Sequence, residues 1–147
     1  MTSELRVDNL KGSTTGGSIN VLGEGTSATT NLQQGLCKSW VNLDGGSVDS
    51  GTDLDGVRDS FNVSGMTDHG TGDHTITINN DFADANYSAV GCCIAGTGSG
   101  NNGQVVSSQG SGGNAPAGSI RIAVQYSSNQ SKNDVDGVSV HFCGDLA

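Results

Sequence analysis

The residues able to do chemistry are few, and their spacing is unhelpful to catalysis. The three histidines, His69, His74 and His141, lack the spacing of a zinc site. His74 and His141 fall in strand-like patterns, which favours a structural role. Serine is abundant, but no GxSxG elbow occurs and no Ser-His-Asp triad can be assembled from chain order. Asp49, Asp53 and Asp55 crowd the stretch Ser47–Gly56, and closely spaced carboxylates followed by glycine suggest a calcium loop. The twelve-residue pattern with its terminal Glu is absent, so solvated turn aspartates are the favoured reading. The same carboxylates could be taken for a glycosidase pair, yet sugar chemistry needs a lined cleft, and aromatics are only 4% of the chain. Cys37, Cys92, Cys93 and Cys143 show neither CxxC nor metal-site spacing, and the adjacent Cys92 and Cys93 must point to opposite faces of a strand. Buried free thiols are expected, with a disulfide open only to a particle that leaves the reducing cell. No catalytic residue, metal or cofactor is predicted, and the chain is read as a non-enzyme.

Composition says what such a chain can build. Its 147 residues allow one compact domain plus a tail. Hydrophobic residues are 33%, charged residues 14%, and glycine takes 24 positions. Charge is well below the usual value of about 25%, so polarity comes from Ser, Thr, Asn and Gly. A thin core under a neutral polar surface suits a subunit that completes its burial against copies of itself. The net charge of −9 repels phosphate backbones and anionic lipid alike, which excludes nucleic acid and membrane insertion as expected partners. Met1–Leu10 lacks the apolar stretch of a signal peptide, and a product made and kept soluble in a cytoplasm is expected.

The elements follow from periodicity. Leu5/Val7 and Ile19/Val21 form two short alternating pieces without a core of their own, so residues 1–30 read as an arm that docks elsewhere. Leu32, Leu36 and Trp40 fall four apart, one stripe of a short helix over residues 31–40, with Thr30 or Asn31 as N-cap. That stripe either lies on its own domain or meets two copies of itself on a threefold axis, making Leu32, Leu36 and Trp40 the trimer-interface candidates.

Period two takes over in the head, residues 41–147. Six strands are predicted: Trp40–Leu43, Val57–Val63, one around Ile76 and Ile78, Tyr87–Ile94, Ile120–Tyr126 and Val138–Phe142. Tyr87–Ile94 is apolar on both faces and is expected at a sheet centre. The stretches Asp44–Gly56, Gly65–Asp73 and Gly96–Gly118 read as loops, the last carrying the only proline, Pro116. This pattern predicts a mainly β fold, an antiparallel β-sandwich or jelly-roll-like head with an extended N-terminal arm and one short helix, assembled as a trimer.

Particular segments then carry a resemblance. Leu32-Gln33-Gln34-Gly35-Leu36 with Lys38-Ser39-Trp40-Val41-Asn42-Leu43-Asp44-Gly45 resembles a recurring segment of bacteriophage tail-fibre and related virion proteins. So do Val57–Ser64, Gly70-Thr71-Gly72-Asp73 and Phe82–Ser88. Ser3–Asp8 and Val138–Asp145 are similar to the first and last strands of such proteins from phages of marine bacteria and cyanobacteria. The chain departs from that pattern at His74, where an aromatic is usual, and at Ser39, where alanine is usual. It also has no long shaft, which points to a short fibre or knob. The resemblance implies a homotrimeric β-rich head in a virion, a short tail fibre or receptor-binding head that attaches the particle to its host, with neither cofactor nor catalytic residue. Residues 1–30 would hold other virion proteins, and the polar loops a host surface glycan, weakly per site and strongly through multivalency. A capsid decoration or head-fibre protein is the alternative, and a glycan-degrading spike enzyme a lesser one.

Overall fold

A computed structural model describes residues 4–13, 19–23, 28–49, 53–94, 104–108 and 115–147. The chain forms two units, Met1–Leu36 and Cys37–Ala147. In the first, β1 (Asn20–Leu22) pairs antiparallel with β2 (Thr29–Asn31), Val21 standing opposite Thr30. The other arm pattern, Leu5/Val7, forms no strand, and both side chains are exposed. Helix α1 (Leu32–Gly35) follows, capped by Asn31, whose Oδ1 accepts the Gln34 backbone N–H at 3.2 Å.

The helix stops after one turn, because Leu36 turns extended at φ −96°, ψ 138°. The expected helical stripe of Leu32, Leu36 and Trp40 is thereby corrected. No residue of α1 is buried, and Trp40 belongs to a strand of the second unit. Gly35 is a poor helix former, and so short a helix persists only if packing supports it. Val41 and Leu43 draw the following segment into a sheet instead, so the head begins at Cys37 and not at residue 41.

Among the described residues the second unit is an antiparallel sandwich of eight strands. Its first sheet runs in the order β4 (Val57–Phe61), β3 (Ser39–Leu43), β10 (Gly137–Cys143), β7 (Ser88–Ile94). Its second runs β5 (Val63–Asp68), β6 (Asp73–Ile78), β9 (Ser119–Tyr126), β8 (Gln104–Ser108). The core lies between them. Val41, Leu43, Val138, Val140 and Phe142 project from the first sheet toward Met66, Ile76, Ile120, Ile122 and Val124 of the second, with Phe82 and Val135 in the same cluster. Each such buried side chain contributes about 1.5–3 kcal/mol.

Two of the eight strands were unreadable as strands. The run Val57–Val63 looks like one strand but is two, because Asn62 takes φ 57° and passes the chain from the first sheet to the second. Asparagine tolerates this left-handed turn because its side chain bonds locally. Nδ2 donates to the carbonyls of Lys38 and Asn80 at 3.1 Å, and Oδ1 accepts the Asn80 backbone N–H at 2.8 Å. β5 then occupies Gly65–Asp68 of a segment expected to be loop. β8 likewise lies inside the expected Gly96–Gly118 loop, most of which falls outside the described residues.

The strand expected at a sheet centre, Tyr87–Ile94, is corrected to an edge. β7 bonds to β10 on one side only, and nearly all of it is exposed. Its inward positions are small because the opposite sheet comes close. A methyl group at Gly91 would meet Val106 Cγ1 at 2.9 Å.

Candidate interaction surface

Alternation along the strands of the first sheet sends Ser39, Val41 and Leu43 inward and leaves Trp40 and Asn42 on the outer face. Pairing register then assembles a row across all four strands. Trp40 stands opposite Phe61 on β4 and opposite His141 on β10, and His141 stands opposite Val90 on β7. Phe61 is 55% exposed and Val90 68%, with Trp40 half-buried between its neighbours and His141 exposed. The next row is Asp59, Asn42, Ser139 and Cys92, tied by a 3.3 Å hydrogen bond from Asn42 Nδ2 to Ser139 Oγ. Ile94, 67% exposed, extends the apolar surface along β7. Exposed apolar side chains are thereby grouped on the outer face of this sheet, Phe61 and Val90 flanking the half-buried Trp40 and the exposed His141.

The β7 edge strengthens that chemistry. Among the described residues no strand pairs with its outer side, so a row of backbone N–H and C=O groups faces outward beside Val90 and Ile94. Neither Lys nor Pro interrupts the strand, although those are the usual devices that keep an edge from pairing. Of the three interface candidates, Trp40 lies on this face, whereas Leu32 and Leu36 belong to the other unit.

The outer face of the second sheet is built differently. Thr67, Thr75 and Arg121 form its row, and Asp73 pairs with Ala123 beside them. Asp73 is buried and receives both Arg121 Nε and Nη2 at 2.7 Å, together with the Lys132 ammonium. The Arg121 hydrogen bond holds the Asp73 carboxyl well below the usual carboxylate range; burial opposes this, and Lys132 adds to it. The turn before Asp73 depends on Gly72, at φ 62°, where a Cβ would lie 2.7 Å from backbone atoms of Asn133 and Val124. The Gly72 N–H is accepted by Asp134 Oδ1 at 2.6 Å. The Gly70–Asp73 segment is thus a structural clasp between the β5–β6 hairpin and the β9–β10 connection.

The remaining candidates are scattered. His74 is fully buried, its Nδ1 3.5 Å from Asp68 Oδ1, and burial pushes its imidazole below the ordinary value despite the opposing carboxylates of Asp68, Asp134 and Asp73. His69 bonds Thr75 Oγ1 at 2.9 Å. The Asp53 carboxylate accepts the Asp55 backbone N–H at 3.1 Å, a turn contact. Among the described residues no three His, Cys, Asp or Glu side chains are arranged to hold a metal ion.

The four cysteines are unbridged in this structure, and the expectation that they are buried is corrected. Cys92 and Cys143 are exposed, Cys37 and Cys93 half-buried. Cys93 packs against the core while its neighbour Cys92 faces out, as alternation demands.

A cavity of about 420 Å³ opens between β7 and β8, floored by Ile120, Ile122 and Val140 and edged by Asn86, Ser107 and Ser108. No carboxylate, histidine or cysteine lines it among the described residues. Tyr87 does, but its hydroxyl is committed to the carbonyls of Pro116 and Ser119 at 3.0 and 3.1 Å. Burial raises that phenol above its ordinary value. Nor, among the described residues, is any helix long and apolar enough to cross a membrane. Comparison with protein-family models, with curated proteins and with solved structures finds no match for the chain.

Proposed function

We propose that this chain is a self-assembling structural module of a bacteriophage virion, a short tail fibre or receptor-binding head, that acts by holding surfaces together and not by catalysis. The observation that carries the reading is the row Phe61, Trp40, His141 and Val90 on the outside of the first sheet. Among the described residues nothing covers the outer side of that row, and an unpaired, apolar β7 edge lies beside it. Three copies associating through this face would cover the aromatic side chains and complete the burial that a thin core leaves undone. The polar outer face of the second sheet and the loops would then remain for a host surface glycan, and residues 1–30 for other virion proteins. Among the described residues no paired carboxylates of the kind glycoside hydrolysis uses line the cavity between β7 and β8, which favours binding over cleavage.

Light scattering tests the assembly. The parent chain should run at three times its 14.8 kDa mass, and the double variant Trp40→Ser, Phe61→Ser as a folded monomer. A parent that runs as a monomer at working concentrations would remove the basis of the reading. Particles carrying a deletion of residues 1–30 test the attachment: trimers should form but fail to incorporate.

A further inference from the structure

The search for sites outside the apolar face leads to two of the four cysteines. The Lys38 backbone N–H donates to the Phe142 carbonyl at 2.9 Å, while Ser39 stands opposite that same Phe142. Two residues of one strand therefore face one of its partner, a bulge at the start of β3. Continuing the register past this bulge by one residue on each strand sets Cys37 opposite Cys143. The Cys37 thiol donates toward the Phe142 carbonyl at 3.4 Å and that of Ser39 at 3.1 Å, which places it beside the residue that precedes Cys143.

We propose that Cys37 and Cys143 form a covalent clamp, a disulfide that ties the entry of the first head strand to the exit of the last once the protein meets an oxidising disulfide. Opposed residues of an antiparallel pair have Cα atoms about 4.5–5.5 Å apart, inside the range a disulfide spans. Cys92 and Cys93 have no such option with each other, being on opposite faces, and their cross-strand neighbours are Ser139 and Val138. The chemistry is an exchange. The exposed Cys143 thiolate attacks one sulfur of oxidised glutathione and releases one glutathione thiolate. Cys37, deprotonated, then attacks the Cys143 sulfur of the mixed disulfide and releases the second. Two protein thiols are oxidised, one external disulfide is reduced to two thiols, and the two protons lost by Cys37 and Cys143 end on the released glutathione. Burial first, and then the neighbouring Cys37, hold the Cys143 thiol above its ordinary value, so closure is slow at neutral pH and quickens in alkali. The bond closes a loop of roughly a hundred residues, the kind that most restricts the unfolded chain.

The test treats the full chain with oxidised glutathione at about pH 8.5, then denatures it, alkylates it and maps its peptides. The expected map has Cys37 joined to Cys143 within one chain, Cys92 and Cys93 alkylated, and a melting temperature at least about 4 °C higher than that of the reduced protein. Cys37→Ser should trap the glutathione adduct on Cys143. Four alkylated thiols after oxidation, a glutathione adduct that persists on Cys143 of the parent chain, or a bond running between chains would each overturn the clamp.

Discussion

The two outer faces of the sandwich share an architecture and differ in chemistry. Across the second sheet run Thr67, Thr75 and Arg121, with Asp73 held beneath Arg121 and Lys132. Across the first run Phe61, Trp40, His141 and Val90. Both sheets fill most of their inward positions with Val, Leu, Ile, Met or Phe. Folding constrains the inward half of each strand, so the outward half is free to report what else the protein does. On the second sheet it reports a locally satisfied polar surface. On the first it reports side chains that gain free energy only when something covers them.

That contrast can be broken from either side. The largest effect should come from Gly72→Ala, which drives a methyl group into backbone at 2.7 Å and into a left-handed conformation that alanine avoids. A loss of about 3 kcal/mol in denaturant unfolding is expected, with the mass in solution unchanged wherever the protein remains folded. Asn62→Val removes the sheet-switching corner and its side-chain bonds and should cost about 2–3 kcal/mol, again without altering assembly. Asp73→Ala takes the buried anchor from beneath Arg121 and Lys132. Because both cations keep access to water, the loss should stop near 2 kcal/mol.

On the first sheet the ranking inverts. Val90→Thr should change monomer stability by less than about 0.5 kcal/mol, since its side chain is 68% exposed, yet weaken self-association measurably in sedimentation. A variant of this face that lost stability and kept its mass would reverse the assignment of the two faces.

Acid separates the regions in a further way. His74 is held neutral by burial, with its proton affinity depressed in the fold, so its contribution is complete above about pH 6.5 and is lost as the pH falls through the lower folded value. Asp73 is depressed as well, by its Arg121 hydrogen bond, and its contribution is complete above about pH 4 and lost only in stronger acid. Unfolding midpoints across pH 3–7 should therefore decline in two stages. His74→Phe should abolish the upper stage and leave the lower, and a profile unchanged by that substitution would place the upper titration elsewhere.

Much of the head was legible because its signals are local. Ile120, Ile122 and Val124 alternate with Arg121, Ala123 and Gln125, and they became β9. Val138, Val140 and Phe142 became β10 in the same way. Asn31 capped α1 as its type suggested. What misled was pattern without context. Leu32, Leu36 and Trp40 are helically spaced, yet Trp40 answers to the strand whose buried members are its neighbours Ser39 and Val41. The continuous alternation Val57–Val63 hid a corner because a single left-handed residue leaves the alternation of types intact.

The amino-acid sequence by itself determined the mainly β class and the inward residues of most strands, since each depends on residue type and on periodicities of two to four positions. Tertiary structure alone decided which strands are edges, that Trp40 shares a row with Phe61, His141 and Val90, and that Cys37 meets Cys143. These are matters of register between segments as far as 106 positions apart. Apolar residues in a strand look alike whether a second sheet or a second molecule is to cover them, because the hydrophobic effect rewards removal from water without specifying by what.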